Sequence, residues 1–377
     1  MKQKKQKNLA ASRMGIACAP STLNNSRKVT KKKRGGANGG ATNATAASAE
    51  QATISQVEVT SKVTSEKDVD LKIFRSYLAN VFEKMPKGLR EEFTSIRRFN
   101  DFEKMRAFVQ ANEKGLNRYK DVGCLDNCRV VLDHPFPQDY IHANYVSIPS
   151  NPKKFICAQA PLEKTVHDFW YMLVMNKVEV IMMLCNLEEK GAKKCFKYYP
   201  DSGDSVTYGE NELKITIKCK STKKLNYGSA NLRESLLQVD GLNKSLRTRH
   251  LHWIDWPDRS VPPADNTVIR LLSRYRATDS PIVVHCSAGI GRTGCVVMIE
   301  YYLDLIAGNR NMPVGAEVMQ EIRKQRNNSV QTEYQYLFVH MVILNHLHRK
   351  GILDRIDKES LPRLFTMFSE EYKKIVI

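Results

Sequence analysis

Residues 281–306 constrain this chain more than any other stretch. Pro281-Ile282-Val283-Val284-His285 is a short apolar run that reads as a buried strand. It delivers Cys286 into the turn Ser287-Ala288-Gly289-Ile290-Gly291, and the pattern predicts an apolar helix from Arg292 to Ile306. A buried strand feeding a helix through a tight turn points to an α/β fold. Glycines at 289 and 291 let the backbone curl, so that successive N–H groups point inward as an anion nest. The helix N-terminus adds partial positive charge, and Arg292 adds a planar fork for two oxygens of one anion. The stretch is a cradle for a tetrahedral dianion.

The same field acts on Cys286. A thiol facing amides and a guanidinium at a helix N-terminus ionises below its reference pKa of about 8.5. Such a thiolate is a competent nucleophile toward phosphorus, and the Thr293 hydroxyl can donate to the sulfur. An inert buried cysteine before a turn would explain neither Arg292 six residues on nor the glycines between.

The rest of the chain supports one large domain. It has 377 residues, 42% of them hydrophobic, with no apolar run of the roughly 18 residues that a membrane span needs. Nine scattered cysteines without a matching His or Cys pair read as reduced thiols rather than a zinc site or disulfide framework. A cytoplasmic protein is expected.

The net charge of +19 is concentrated at the start: no acidic residue precedes Glu50, while Lys31-Lys32-Lys33-Arg34 caps a basic series. Residues 35–52 are almost all Gly, Ala, Asn, Thr and Ser, too poor in apolar surface to offset ordering entropy. Residues 1–65 are therefore expected to be a disordered basic tail. It is either a solvated arm or a ligand for nucleic acid, an acidic membrane or an import receptor, the last a route to the nucleus.

Ordered structure is expected from about residue 66 to 350. Leu71, Phe74, Tyr77, Leu78 and Val81 recur at helical spacing, and Leu89, Phe93 and Ile96 resume it after Pro86-Lys87-Gly88. Strands are predicted at 129–132, 140–148, 154–159 and 178–184, with a helix at 165–175 between the last two. Short antiparallel strands are predicted over 205–238, and helices at 266–276, 314–325 and 332–346. Strands and helices interleave without strict alternation, so the expected fold is a single domain with a mixed, twisted sheet flanked by helices. Residues 351–377 form a charged extension with no assigned structure.

The ten residues His285–Gly294 resemble the signature loop of the classical, non-receptor-type protein tyrosine phosphatases, and further motifs agree over residues 71–348. The resemblance implies hydrolysis of phosphotyrosine in proteins through a cysteinyl-phosphate, without metal or cofactor. Trp256-Pro257-Asp258 resembles the mobile loop bearing the general acid, which implies that Asp258 protonates the leaving tyrosine and then activates water. Arg259 and Ser260 stand where the family often has Phe-Gly. Gln331-Thr332-Glu333-Tyr334-Gln335 resembles the glutamine motif, implying that Gln331 positions water and Gln335 assists. Just upstream, Asn328 and Ser329 replace commoner apolar residues and are expected at the pocket rim.

Asn117-Arg118-Tyr119-Lys120-Asp121-Val122 resembles the phosphotyrosine recognition loop. It implies that Tyr119 stacks on the substrate ring and that Asp121 accepts from the peptide backbone. Glu189-Lys190-Gly191 and Lys194-Cys195 resemble the loop in which Glu189 orients Arg292 and Lys194 lies near the acid. The turn amides of Ser287, Ala288, Gly289, Ile290 and Gly291 bind phosphate, and His285 orients the loop. Gln159-Ala160-Pro161-Leu162 and Asp168-Phe169-Trp170 match blocks that serve folding. A pseudophosphatase, which binds phosphotyrosine without turnover, would require damage at the nucleophile, the arginine or the acid, and none is damaged.

Overall fold

The computed structural model describes residues 69–133, 135–228 and 230–376. The stretch 1–65, expected to be a disordered tail, lies outside the described residues.

The first helix, α1 (Arg75–Ser95), bends where Met85 takes a positive φ before Pro86, so the break read from Pro86-Lys87-Gly88 is a kink. The chain continues through α2 (Arg106–Glu113), β1 (Arg129–Val131), β2 (Tyr140–Ile148), β3 (Asn151–Ala158), α3 (Val166–Met175) and β4 (Val180–Met183). A small ribbon, β5 (Glu188–Glu189) and β6 (Ala192–Lys193), turns at Lys190-Gly191. Both turn residues have positive φ, as a two-residue hairpin requires. Four strands follow: β7 (Ser205–Tyr208), β8 (Ile215–Leu225), β9 (Leu232–Gly241) and β10 (Lys244–Trp253). The C-terminal part is α4 (Thr267–Tyr275), β11 (Ile282–His285), α5 (Gly291–Ala307), α6 (Gly315–Arg323), α7 (Glu333–Arg349), α8 (Ile352–Ile356) and α9 (Ser360–Val376).

The strands form one mixed sheet in the order β1-β2-β3-β11-β4-β10-β9-β8-β7. Its centre is parallel, since β11 pairs in parallel with β3 and β4, and β4 with β10. The flanks are antiparallel. Every residue of β4 and β11 is buried, which is why both read as continuous apolar runs. Helices flank the sheet, and α5 packs on β11, β2 and the neighbouring α4, α6 and α7.

The parallel centre positions the site. The loops after β3, β11, β4 and β10 all leave from one edge of the sheet, the carboxyl edge where α/β folds build their sites. Those loops carry Gln159, Cys286, Glu189 and Asp258, respectively.

Several elements differ from the sequence-based expectation; α2 and the β5–β6 ribbon fall where no element is predicted. The strand β10 was not anticipated as a strand: it pairs with β9 through a turn at Leu242-Asn243, both at positive φ, without the glycine that signals such turns. The C-terminal extension is helical. Its α9 packs on α1 and α7, with Phe368 buried against Phe82 and Phe365 stacked on His348. Among the described residues no helix is long and apolar enough to cross a membrane.

Candidate active site

Cys286 leaves β11 at the floor of a cavity lined also by Tyr119, Asp121, Lys194, Asp258, Arg259, Ser287, Ala288, Arg292, Gln331 and Gln335. Five segments far apart in sequence thus meet at one cavity. Cys286 is 4% exposed, and its sulfur accepts the Gly289 N–H at 3.3 Å. Gly289 itself has φ +70, and a Cβ there would lie 2.0 Å from the Ala158 carbonyl oxygen, so no other residue fits this turn.

Burial alone would push the Cys286 thiol up. It is outweighed by the Arg292 charge, the Thr293 side chain and amide, and the Gly289 amide, so the thiol is held below its ordinary value. Thr293 Oγ1 is buried and makes no hydrogen bond of ordinary geometry in this state, yet it lies beside the sulfur and is one of the groups that lower it.

Arg292, 2% exposed, opens α5 and is held as a rigid fork. Its Nη1 and Nη2 donate to Glu189 Oε1 and Oε2 at 2.6 and 2.8 Å. Nη1 also donates to the Trp256 carbonyl at 3.0 Å, and Nη2 lies 3.3 Å from Asp258 Oδ1. Asp258 Oδ2 accepts from Lys194 Nζ at 2.9 Å. Partial burial raises the Asp258 carboxyl, but Lys194, Arg292 and Arg259 prevail and hold it below the usual carboxylate range. The acid loop therefore lies over the cavity with its carboxylate facing the guanidinium.

The Tyr119 loop is pinned from below. Gln159 accepts from the Arg118 amide at 2.8 Å and donates to the Leu116 carbonyl at 2.8 Å. The Arg118 guanidinium reaches the carbonyls of Ala160 and Pro161. The Gln159 block, read as serving folding, is thus what holds the recognition loop. Ser287 Oγ donates to the Lys194 carbonyl at 3.0 Å, so Tyr119 donates its phenol proton to Ser287 Oγ at 2.8 Å.

Gln335 caps the start of α7. Its side-chain oxygen accepts from the Gln331 and Thr332 amides, and its own amide donates to Thr332 Oγ1. Thr332 Oγ1 in turn donates to the Arg259 carbonyl at 3.2 Å, linking the glutamine motif to the acid loop. Asn328 and Ser329 do not line the cavity. Both are buried, Asn328 donating to Asn100 Oδ1 and Ser329 to the Arg326 carbonyl.

Two supports were not singled out from the sequence. Arg326 is fully buried behind the turn and donates to the carbonyls of Ala288 and Gly289, which fixes their peptide planes. It also donates to Asn144 and His142, and His142 donates to the Val122 carbonyl. On the core side, His285 Nδ1 lies 3.2 Å from the Cys286 carbonyl, to which it can only donate. Burial keeps this imidazole neutral, with its pKa pushed down to about 3, so Nε2 accepts. Tyr198 therefore donates to His285 Nε2 at 2.8 Å and accepts from His250 Nε2 at 2.7 Å. No local motif marks Arg326 or Tyr198, because their partners lie far away in the chain.

Chemically, the cavity offers an activated thiol, amide donors, a locked guanidinium and a carboxyl group above them. That set can bind and attack a tetrahedral oxyanion and exchange a proton with its leaving group. Among the described residues no group of three or more His, Cys, Asp or Glu side chains is placed to hold a metal ion.

The chain is similar in sequence and fold to known proteins. A sequence model of the family described as Protein-tyrosine phosphatase matches residues 113–345. The chain is 34% identical to a Lar-like tyrosine-protein phosphatase of Caenorhabditis elegans over 265 residues, 68% of this chain and 12% of that protein. It is 36% identical to the Homo sapiens tyrosine-protein phosphatase non-receptor type 12 over 239 residues, 60% of this chain and 29% of that one. The chain thus spans less than a third of the length of either relative. Among solved structures, the catalytic domain of human protein tyrosine phosphatase non-receptor type 18 superposes with a TM-score of 0.61 at 27% identity. That match covers 74% of this chain and 99% of the other. PTPN18 in complex with HER2 phospho-peptides matches at a TM-score of 0.60 and 27% identity, over 72% of this chain and 98% of that one.

Proposed function

Since the chain belongs to the protein-tyrosine phosphatase family, we propose that it hydrolyses phosphotyrosine in proteins by way of a phosphate ester on Cys286. One observation carries this reading: the Cys286 sulfur, the Arg292 fork and the Asp258 carboxyl converge on one cavity.

In the first step the Cys286 thiolate attacks phosphorus, forming an S–P bond as the P–O bond to tyrosine breaks. Arg292 and the amides of residues 287–291 hold the equatorial oxygens and their transition-state charge. Asp258 gives its proton to the departing phenolate. In the free protein Asp258 is paired with Lys194 and Arg292. An arriving phosphoryl dianion competes for Arg292 and brings negative charge to Asp258, which favours the protonated form needed for donation. In the second step Gln331, assisted by Gln335, positions water. Asp258 takes a proton from that water as it attacks, and the S–P bond breaks to release phosphate and the thiolate. Thr293 stabilises the leaving sulfur.

Tyr119 supplies selectivity. Its ring lines the same cavity as the Cys286 sulfur, and in this reading the cleft admits phosphotyrosine and leaves shorter phosphoserine out of reach. Asp121, exposed at the mouth, accepts from the peptide backbone. The partners are phosphotyrosine proteins, a reading supported by the phospho-peptide complexes of PTPN18. Action in the cytoplasm and an anionic ligand for the tail 1–65 complete this reading. Binding to such a ligand should weaken steeply with salt and be lost on deleting residues 1–50.

The test is steady-state hydrolysis of a phosphotyrosine peptide by the wild-type chain and by Cys286→Ser. Turnover abolished in the variant is the expected result. Undiminished turnover would refute the assignment.

A further inference from the structure

We infer that Arg259 is a specificity-determining residue that selects phosphotyrosine sites flanked by an anionic side chain, either a carboxylate or a second phosphoryl group. This rests on the phosphatase reading above and names the substrate class that the site prefers.

The first observation is position. Arg259 follows Asp258 directly, lines the cavity and is exposed. Its φ of +58 is the left-handed region, uncommon outside glycine and maintained only where the surroundings impose it. Here they do: the Arg259 carbonyl accepts from Thr332, and the next carbonyl, of Ser260, accepts from Trp256 Nε1 at 3.3 Å. The backbone is thus held at two successive carbonyls, and the exposed guanidinium stands at the mouth.

The second observation is charge. The cavity is lined by three cations, Lys194, Arg259 and Arg292, and two carboxylates, Asp121 and Asp258. Lys194 and Arg292 are committed, to Asp258 and to Glu189 and Asp258. Among the described residues no hydrogen bond or ion pair engages the Arg259 guanidinium. Lys120, beside Tyr119 and exposed, adds the same sign at the mouth. A free guanidinium presents a fork that matches a carboxylate or a phosphoryl group.

The Arg259 charge also carries a cost. A cation beside Asp258 favours the carboxylate, which works against proton donation. An anionic group on the substrate that pairs with Arg259 offsets that charge while the acid is needed. An aromatic residue at this position would contribute ring contact instead, with no preference for charge.

The experiment measures kcat/KM on four peptides that differ only beside the phosphotyrosine: Glu, Gln, Lys or phosphoserine. The proteins are the wild-type chain, Arg259→Gln, Arg259→Glu and Lys120→Gln. The wild-type chain should prefer the Glu peptide over the Gln peptide by about fivefold, as for one partly exposed ion pair, and the phosphoserine peptide at least as strongly. The Glu and phosphoserine arms separate the two sources of negative charge. Arg259→Gln should flatten the series, and Arg259→Glu should invert it toward Lys. An unaltered preference in both Arg259 variants, or one that vanishes only in Lys120→Gln, would overturn the inference. Failure of the wild-type chain to hydrolyse any of the four would instead refute the phosphatase reading itself.

Discussion

Glu189 grips both terminal nitrogens of Arg292, at 2.6 and 2.8 Å, across 103 residues of chain. The pair is almost completely buried, and the β5–β6 hairpin exists on the site side of the sheet to deliver it. Removing one partner of such a pair strands the other, at about 3–5 kcal/mol. Glu189→Ala should therefore lower the melting temperature and also cut kcat, because Arg292 loses its orientation. Thermal melts and steady-state kinetics check both. A variant with native stability and native kcat would show that Arg292 is positioned by something else.

Asp258 and Lys194 set the basic limb of the pH profile. Lys194 holds the Asp258 carboxyl low, so its removal raises the acid toward its ordinary value. The basic limb of kcat/KM, where the acid is lost, should move to higher pH in Lys194→Met. An unmoved limb would mean that Asp258 is not the group titrating there.

Buried histidines predict acid sensitivity. Burial pushes His142, His285 and His340 down to about 3 and His252 to about 4. Their unfolded counterparts bind protons near pH 6.5, so the unfolded state takes up more protons below that value. The stability these groups contribute is fully present above about pH 6.5 and is lost as pH falls toward 3–4. Chemical denaturation at pH 7, 6 and 5 should show a steady fall, and a flat series would contradict the buried neutral state.

Tyr198 bridges His250 and His285 beneath the nucleophile. Tyr198→Phe leaves both imidazoles without that partner, an expected loss of about 1–3 kcal/mol. It also frees the His285 tautomer that donates to the Cys286 carbonyl. The pH dependence of Cys286 alkylation by iodoacetate should shift in this variant. A loss of stability with an unshifted alkylation curve would limit Tyr198 to packing.

Much of the site is legible in the sequence because each working group sits in a short contiguous motif: 285–294, 256–258, 331–335 and 117–122. The central strands are equally legible, since β4 and β11 are apolar throughout. What escapes is long-range support. Arg326 meets His142 across 184 residues, and Tyr198 meets His285 across 87, so neither pairing leaves a local signature. The strand β10 escapes because Leu242-Asn243 lacks glycine, and α9 escapes because its value lies in Phe368 finding Phe82.

In the proposed reaction phosphate passes through the Cys286 sulfur. Rapid acid quenching of the wild-type chain and of Gln331→Ala, each mixed with a phosphotyrosine peptide and followed by peptide mass spectrometry, tests it directly. The expected result is a phosphoryl group on the peptide containing Cys286, accumulating further in Gln331→Ala and absent from Cys286→Ser. Phosphate release without any phosphorylated Cys286, or with Cys286→Ser still turning over, would contradict it.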